Sequence, residues 1–381
     1  MRTLLVTGPG GAGTSSLAAA AAVRAARAGR RTVLLSARPP VPGVDGVDGL
    51  TVTTVDAQAA FQDVWSGTAE TVGTVLPQVT VPPATSVVPL PGAGDVALFA
   101  ELGRAEADLV VVDAGPLPSA LALVAVPATL RWWLDQLMPP GMRALGAVRT
   151  AAVASGAARR GPVDVALSAV PAIEGLLARD RLADPADTGV HLVALPRASS
   201  VADARAAATR LALHGLRVGA VLSRLSPSAG NGDWAARRAA EQDGALAALA
   251  EVAPVHRVPE LATAPAGPDD LAALVDVDPP VTTGSGVPAA ERHEGAWRLA
   301  LPLPFAEHGS VTLTRWVDDL VLTVGGLRRS VRLDPLLRRC EVTGGRLAEP
   351  GTAAARLDVD FRPDPRLWPA DLLTAEERTT P

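Results

Sequence analysis

The sequence predicts an α/β protein: a doubly wound, mostly parallel sheet with a helical insertion, followed by a small all-β sandwich. Three observations predict it. Short apolar runs alternate with alanine-rich, helix-forming stretches as far as residue 277. A glycine-rich loop, Gly8-Pro9-Gly10-Gly11-Ala12-Gly13-Thr14-Ser15, separates the first apolar run from the first helix. Beyond residue 294 the pattern changes to strict alternation over short segments bounded by turn residues. The boundaries are residues 1–277 for the α/β domain, 278–294 for a linker rich in Pro, Gly, Thr and Ser, 295–369 for the sandwich and 370–381 for a flexible tail.

Residues 4–7 read as a buried parallel strand, and Gly29 as the glycine that ends the first helix. Residues 32–36 are the next strand, so the chain opens with a right-handed βαβ unit. A strand over 50–55 and a helix over 57–75 follow, then a proline-broken stretch and a helix over 95–105. Residues 108–113, Asp-Leu-Val-Val-Val-Asp, are the clearest strand in the chain. A helix over 120–137 is interrupted by Pro127, and its Trp132-Trp133 pair reads as packing. Residues 142–182 form the helical insertion, split at Gly161-Pro162. Strands over 191–195, 218–222 and 255–258, with helices over 199–214, 235–252 and 268–275, complete the domain. In the sandwich, Trp297-Leu299-Leu301, Val311-Leu313, Leu320-Leu322-Val324 and Leu357-Val359-Phe361 alternate; Asp318-Asp319 and Gly325-Gly326 mark tight turns.

Composition narrows the function. Hydrophobic residues make up 48% of the chain and aromatics 3%, so aliphatic and alanine packing builds the core. All 35 basic residues are arginine and the net charge is −5, which argues against a general nucleic-acid surface. Cys340 is the single cysteine, which excludes an intrachain disulfide, a Cys-x-x-Cys zinc site and a multi-thiol metalloid site. His191, His214, His256, His293 and His308 lack ligand spacing. The most apolar long stretch, 109–126, is broken by Asp113, Pro116 and Pro118, so no membrane span is expected. The glycines of the first loop interrupt what would otherwise resemble a signal peptide, and the chain is read as cytoplasmic.

Strand, glycine loop and helix together form the layout of a P-loop NTPase-like fold. In the template G-x-x-x-x-G-K-[ST], Gly8, Gly13 and Ser15 fit, while Thr14 stands at the lysine position. Backbone N–H groups around Gly10, Gly11 and Gly13, with Ser15 and Ser16 at the helix start, suit a phosphate or another anion. Asp113 ends its apolar strand as a Walker-B aspartate does. No cofactor is expected; if Mg-ATP binds, Ser15 and Asp113 are its metal-side residues.

These residues resemble the ArsA-type P-loop ATPases, relatives of the arsenite-pump ATPase and of the ATPase that targets tail-anchored membrane proteins. The loop resembles that family's G-K-G-G-V-G-K-T-T, and TVLLSARP over 32–39 its first switch. DLVVVDAGPLPSALALVAVPATLRWWL over 108–134 resembles its second switch, and VGAVLSRLSP over 218–227 the strand that carries an adenine-recognising Asn. LPLPF, DDLVLTVGGLRR and RLDVDF in the C-terminal part resemble the α-crystallin-like (small heat-shock type) domain appended to some bacterial members.

The resemblance implies a dimeric ATPase, and the departures fall on its chemistry. The lysine that reaches across the dimer is Pro9, and the Walker lysine is Thr14. The water-orienting switch aspartate is Arg38, the adenine Asn is Ser223, and Ser119 or its neighbour stands at the switch histidine. Phosphoryl transfer depends on charge neutralisation and positioning, which these losses remove. The expectation is therefore a non-hydrolysing pseudo-ATPase. It would pair with itself or with an intact ArsA-like paralog, or hold a hydrophobic protein client. The alternative is an active ATPase with Arg38 replacing the missing lysines.

Overall fold

Seven strands form the first sheet: β1 (Arg2–Gly8), β2 (Thr32–Ser36), β3 (Leu50–Thr54), β4 (Leu109–Pro116), β5 (Thr188–Ala194), β6 (Val218–Arg224) and β7 (Val255–Val258). Their order is β3-β2-β4-β1-β5-β6-β7. β2 is parallel to β3 and β4, and β6 is parallel to β5 and β7. Runs such as Leu4-Leu5-Val6 and Val110-Val111-Val112 are buried along their whole length, as expected for strands covered on both faces. The computed structural model describes residues 2–75, 78, 80–159, 161–227, 232–275, 289–293 and 296–368. The tail over 370–381 and most of the linker lie outside the described residues.

The helices are α1 (Thr14–Arg27), α2 (Ala57–Val75), α3 (Ala93–Arg104), α4 (Leu117–Leu137), α5 (Pro140–Ala154), α6 (Pro162–Ala178), α7 (Ala198–Leu213), α8 (Asp233–Leu249) and α9 (Pro268–Leu274). Two compact units arise: Met1–Thr3, Ser15–Leu182 and Pro265–Ala272 in the first, and Leu4–Thr14, Ala183–Ala264 and Ala273–Pro381 in the second.

The first unit holds β2, β3, β4 and the helical insertion. Alanine suits α1 because Ala18, Ala19, Ala20 and Ala22 are fully buried, so a larger side chain would push neighbouring backbone away. Pro127 does not interrupt α4. A proline in a helix interior costs about 3 kcal/mol. Burial of Leu121, Leu123, Val124, Val126 and Leu134 on the same helix offsets that cost. Among the described residues, α4 is the one helix with the length and apolar composition to cross a membrane, which the broken stretch over 109–126 did not suggest. β4 runs on past Asp113 to Pro116, so the aspartate lies within the strand rather than at its end.

The second unit contains the sandwich. Its strands are β8 (Glu291–His293), β9 (Ala296–Pro302), β10 (Val311–Trp316), β11 (Asp319–Val324), β12 (Leu327–Arg332), β13 (Cys340–Ala348) and β14 (Arg356–Pro363). They form a sheet ordered β10-β11-β12 and another ordered β13-β14-β9-β8. Glu291–His293 belong to the sandwich, not to the linker, because they pair with β9. All three are exposed; backbone pairing with β9, invisible in a hydrophobic pattern, holds them, and the Arg292 guanidinium stands 5.4 Å over the Trp297 ring. The core includes Leu299, Leu301, Leu320, Leu322, Val359 and Phe361, and it also takes in Leu213 of α7. Thr209 Oγ donates to Pro304 O at 2.6 Å, Arg329 donates to Leu213 O, and the Arg205 guanidinium stands 5.4 Å over the Phe305 ring. The sandwich is thereby seated on α7.

The first hairpin turn is shifted from its expected place. Trp316 pairs with Asp319, leaving Val317-Asp318 as the turn, and Val317 has φ 51°. Asp319 instead begins β11 and is buried beside Arg332. A β-branched residue at positive φ is strained, whereas glycine adopts this conformation freely. Val317→Gly is expected to raise stability by about 1 kcal/mol, read as a shift in the urea midpoint. A loss of stability would mean that Val317, which is 71% exposed, makes contacts worth more than its strain.

Candidate nucleotide-type site

In the second unit β1 delivers the chain into the glycine loop at Gly8. A Cβ on Gly8 would stand 2.6 Å from Val193 O, so this glycine is required by the close approach of β1 to β5. Gly11 and Gly13 have φ of 78° and 96°, and Ala12 N–H donates to Pro9 O at 3.2 Å. Gly10 and Gly11 have open space where a Cβ would be. α1 begins at Thr14, whose buried side chain is too short to carry anything across the loop. Ser15 and Ser16 follow half-buried in the first turn of α1.

A cation missed by sequence reading stands beside this loop. Arg224 Nη1 would lie 3.9 Å from a Cβ on Gly13. Its Nε is buried without a partner. The signal was present in the stretch VGAVLSRLSP, where strand alternation puts Arg224 on the face opposite Ser223. Ser223 itself is fully buried, in register with Ala194 and Arg257, and its hydroxyl has no partner.

In the first unit a different set of residues converges on Asp113. Sheet register places Ser36 opposite Asp113. Arg38 Nη2 donates to Asp113 Oδ1 at 2.6 Å, and Gly115 N–H donates to the same oxygen at 3.2 Å. Ser36 Oγ donates to Oδ2 at 3.3 Å, while Arg38 N–H donates to Ser36 Oγ at 3.0 Å. The Asp113 side chain is 5% exposed and that of Arg38 45%. Both carboxylate oxygens are therefore engaged, and the arginine neutralises the charge that would attract a magnesium-bound water. Ser119 is exposed, and its Cβ lies 3.9 Å from a Cβ built on Gly115. Among the described residues no group of three His, Cys, Asp or Glu is arranged to hold a metal ion.

Two histidines in the second unit have lowered pKa values. His191 on β5 is fully buried with both ring nitrogens unpartnered; burial, with a smaller effect of His256, pushes it down to about 4. His214, half-buried after α7, is pushed down to about 4 by burial and by the nearby Arg329.

Comparison with known proteins bears on these geometries. Residues 41–252 match the family described as anion-transporting ATPase, and residues 294–351 match the HSP20-like domain found in ArsA. The ATPase match begins downstream of both the glycine loop and Arg38. The chain is 36% identical to the uncharacterized protein SCO2128 of Streptomyces coelicolor, over 97% of this chain and 99% of that one. It is 31% identical to Protein Rv2184c of Mycobacterium tuberculosis, over 83% of this chain and 79% of that one. With the ATPase match covering more than half of its length and the appended domain recognised separately, the chain belongs to the ArsA family of anion-transporting ATPases.

Proposed function

We propose that this protein is a non-hydrolysing member of the family, a pseudo-ATPase that keeps the fold as a partner or scaffold subunit. It pairs with a second copy or with an intact ArsA-like chain, and it presents a surface to a hydrophobic client. The observation that carries this reading is the closed Arg38–Asp113 pair. An arginine where the family orients water, bonded to the aspartate that would serve magnesium, removes two catalytic functions together. Thr14 and Pro9 supply neither lysine charge, and Pro9 also lacks a backbone N–H. The reading of Arg38 as a substitute for the lysines is weakened by the same pair, because its charge is already matched.

A second reading, an anion- or nucleotide-binding site with residual activity, draws support from Arg224 beside Gly13. Calorimetry of Mg-ATP binding separates the two, with Thr14→Lys measured alongside. The pseudo-ATPase reading expects no heat and no thermal protection from Mg-ATP in the native chain. Micromolar binding by the native chain, lost in Arg224→Ala, would establish the second reading instead.

A further inference from the structure

The seat of the sandwich on α7 has an electrostatic weakness. α7 ends at Leu213, whose side chain enters the sandwich core and whose carbonyl accepts from Arg329 of β12. His214 follows directly, half-buried, with its Nε2 buried and lacking a partner. Arg329 also reaches Gly215, where its Nη1 would lie 3.6 Å from a Cβ. One turn back along α7, Arg210 lies against the β11–β12 hairpin, with Nε 3.0 Å from a Cβ built on Gly325. The imidazole therefore sits in a junction to which α7 and β12 each bring a guanidinium.

Acids near this junction are engaged elsewhere. Arg329 is the charged group that acts on the His214 ring, and among the described residues no carboxylate does. Asp203 is exposed in α7 itself, and Glu251, beyond α8, is bound to Arg205. β5, packed on α7, brings only His191. Asp319 of β11 stands beside Arg332, three residue pairs or roughly 10 Å along the hairpin from Arg329. Arg328 faces the other side of β12 and donates to Thr323 Oγ1. Glu307 and His308, beyond the Pro304 carbonyl that Thr209 meets, are exposed, as is Arg217. The C-terminal end of α7 favours a cation, but Leu213 O is already taken by Arg329. A second positive charge here therefore meets repulsion and burial together.

We infer that this junction is an acid-sensitive latch: a proton on His214, placed beside Arg329, opens the contact between the last turn of α7 and the β11–β12 hairpin. The open form accepts the proton near the ordinary value of 6.5, and the closed form refuses it until about 4. The latch is thus fully closed above that upper value and weakens as pH falls through the window. The ring is only half-buried, so the change between pH 7 and pH 5 is about tenfold in the closing equilibrium. The inference is independent of the nucleotide-type site. Its test is hydrogen exchange of the full-length chain at pH 7 and pH 5, each amide corrected for its intrinsic rate. Every chain carries His191→Leu, which removes the acid effect of that residue. The His214, Gly215 and Leu216 amides donate to carbonyls of the last turn of α7. Their protection is expected to fall about tenfold at pH 5, while Val359 and Phe361 in the sandwich core change by less than about threefold. His214→Leu should abolish the fall, and His214→Gln takes its place if the leucine chain misfolds. His214→Arg should show the weakened protection already at pH 7. An equal fall at Val359 and Phe361 would mean that the whole sandwich unfolds, and it would overturn the latch. So would a fall that persists without the histidine, or full protection of His214→Arg at pH 7.

Discussion

Lowering the pH from 7 to 5 is expected to cost the fold about 2 kcal/mol through His191 alone. The reason is linkage. In the unfolded chain His191 titrates near its ordinary value of 6.5, and in the folded chain near 4. Above pH 6.5 both states hold a neutral ring and stability is full. As pH falls below 6.5 the unfolded state takes up a proton that the folded state refuses, so stability drops by about 1.4 kcal/mol per pH unit. The loss levels off near pH 4, where the buried ring also protonates. His214 has the same sign and window but is only half-buried, so its share is smaller. The loss is a large fraction of the ~5–15 kcal/mol that holds a typical domain together. Urea unfolding at half-unit pH steps reads it directly. His191→Leu should flatten most of the slope and, at pH 7, leave stability near or above the native value, because it removes two unpartnered buried nitrogens. A slope unchanged by His191→Leu would show that another group carries the acid sensitivity.

Arg38→Ala is expected to destabilise the protein by about 2 kcal/mol, below the ~3–5 kcal/mol typical of breaking a fully buried pair. Asp113 is the buried partner, at 5% exposed, and it would be left with only Ser36 Oγ and Gly115 N–H as donors. Arg38 is 45% exposed and can rehydrate, so Asp113→Asn should cost less, about 1 kcal/mol. A double-mutant cycle over the two positions should show coupling above about 1 kcal/mol. Coupling near zero would mean that the pair is incidental, and it would return Arg38 to the pool of cations free for a phosphate. The same variants bear on function. If closure of Asp113 by Arg38 is what silences the site, Arg38→Asp with Thr14→Lys is the combination in which any Mg-ATP binding should first appear.

Much of the architecture was legible from local pattern. Buried parallel strands announced themselves as unbroken Val/Leu runs, because both faces are covered and no alternation survives. The sandwich announced itself by alternation, because each strand has one face on the core. Local pattern misled where tertiary packing overrode it. Pro127 breaks an isolated helix, but the buried rows of α4 hold it helical. Glu291–His293 carry no hydrophobic signal, yet backbone pairing makes them an edge strand. The turn at Val317-Asp318 moved one residue because the register of β10 and β11 is set by Leu313 opposite Leu322, not by turn propensity.

The candidate site divides in the same way. Sequence alone determined the chemical inventory: a glycine loop over residues 8–15, threonine where the P-loop pattern has lysine, arginine at position 38 and aspartate at 113. Those are identities, and an identity is local. Which charge meets which was decided only by tertiary structure. Arg38 and Asp113 are 75 residues apart in sequence and meet because β2 and β4 are neighbours with Ser36 opposite Asp113. Arg224 reaches Gly13 because β6 ends beside the loop. An ion pair depends on distance and solvent exclusion, both properties of the packed sheet, so no spacing along the chain determines it.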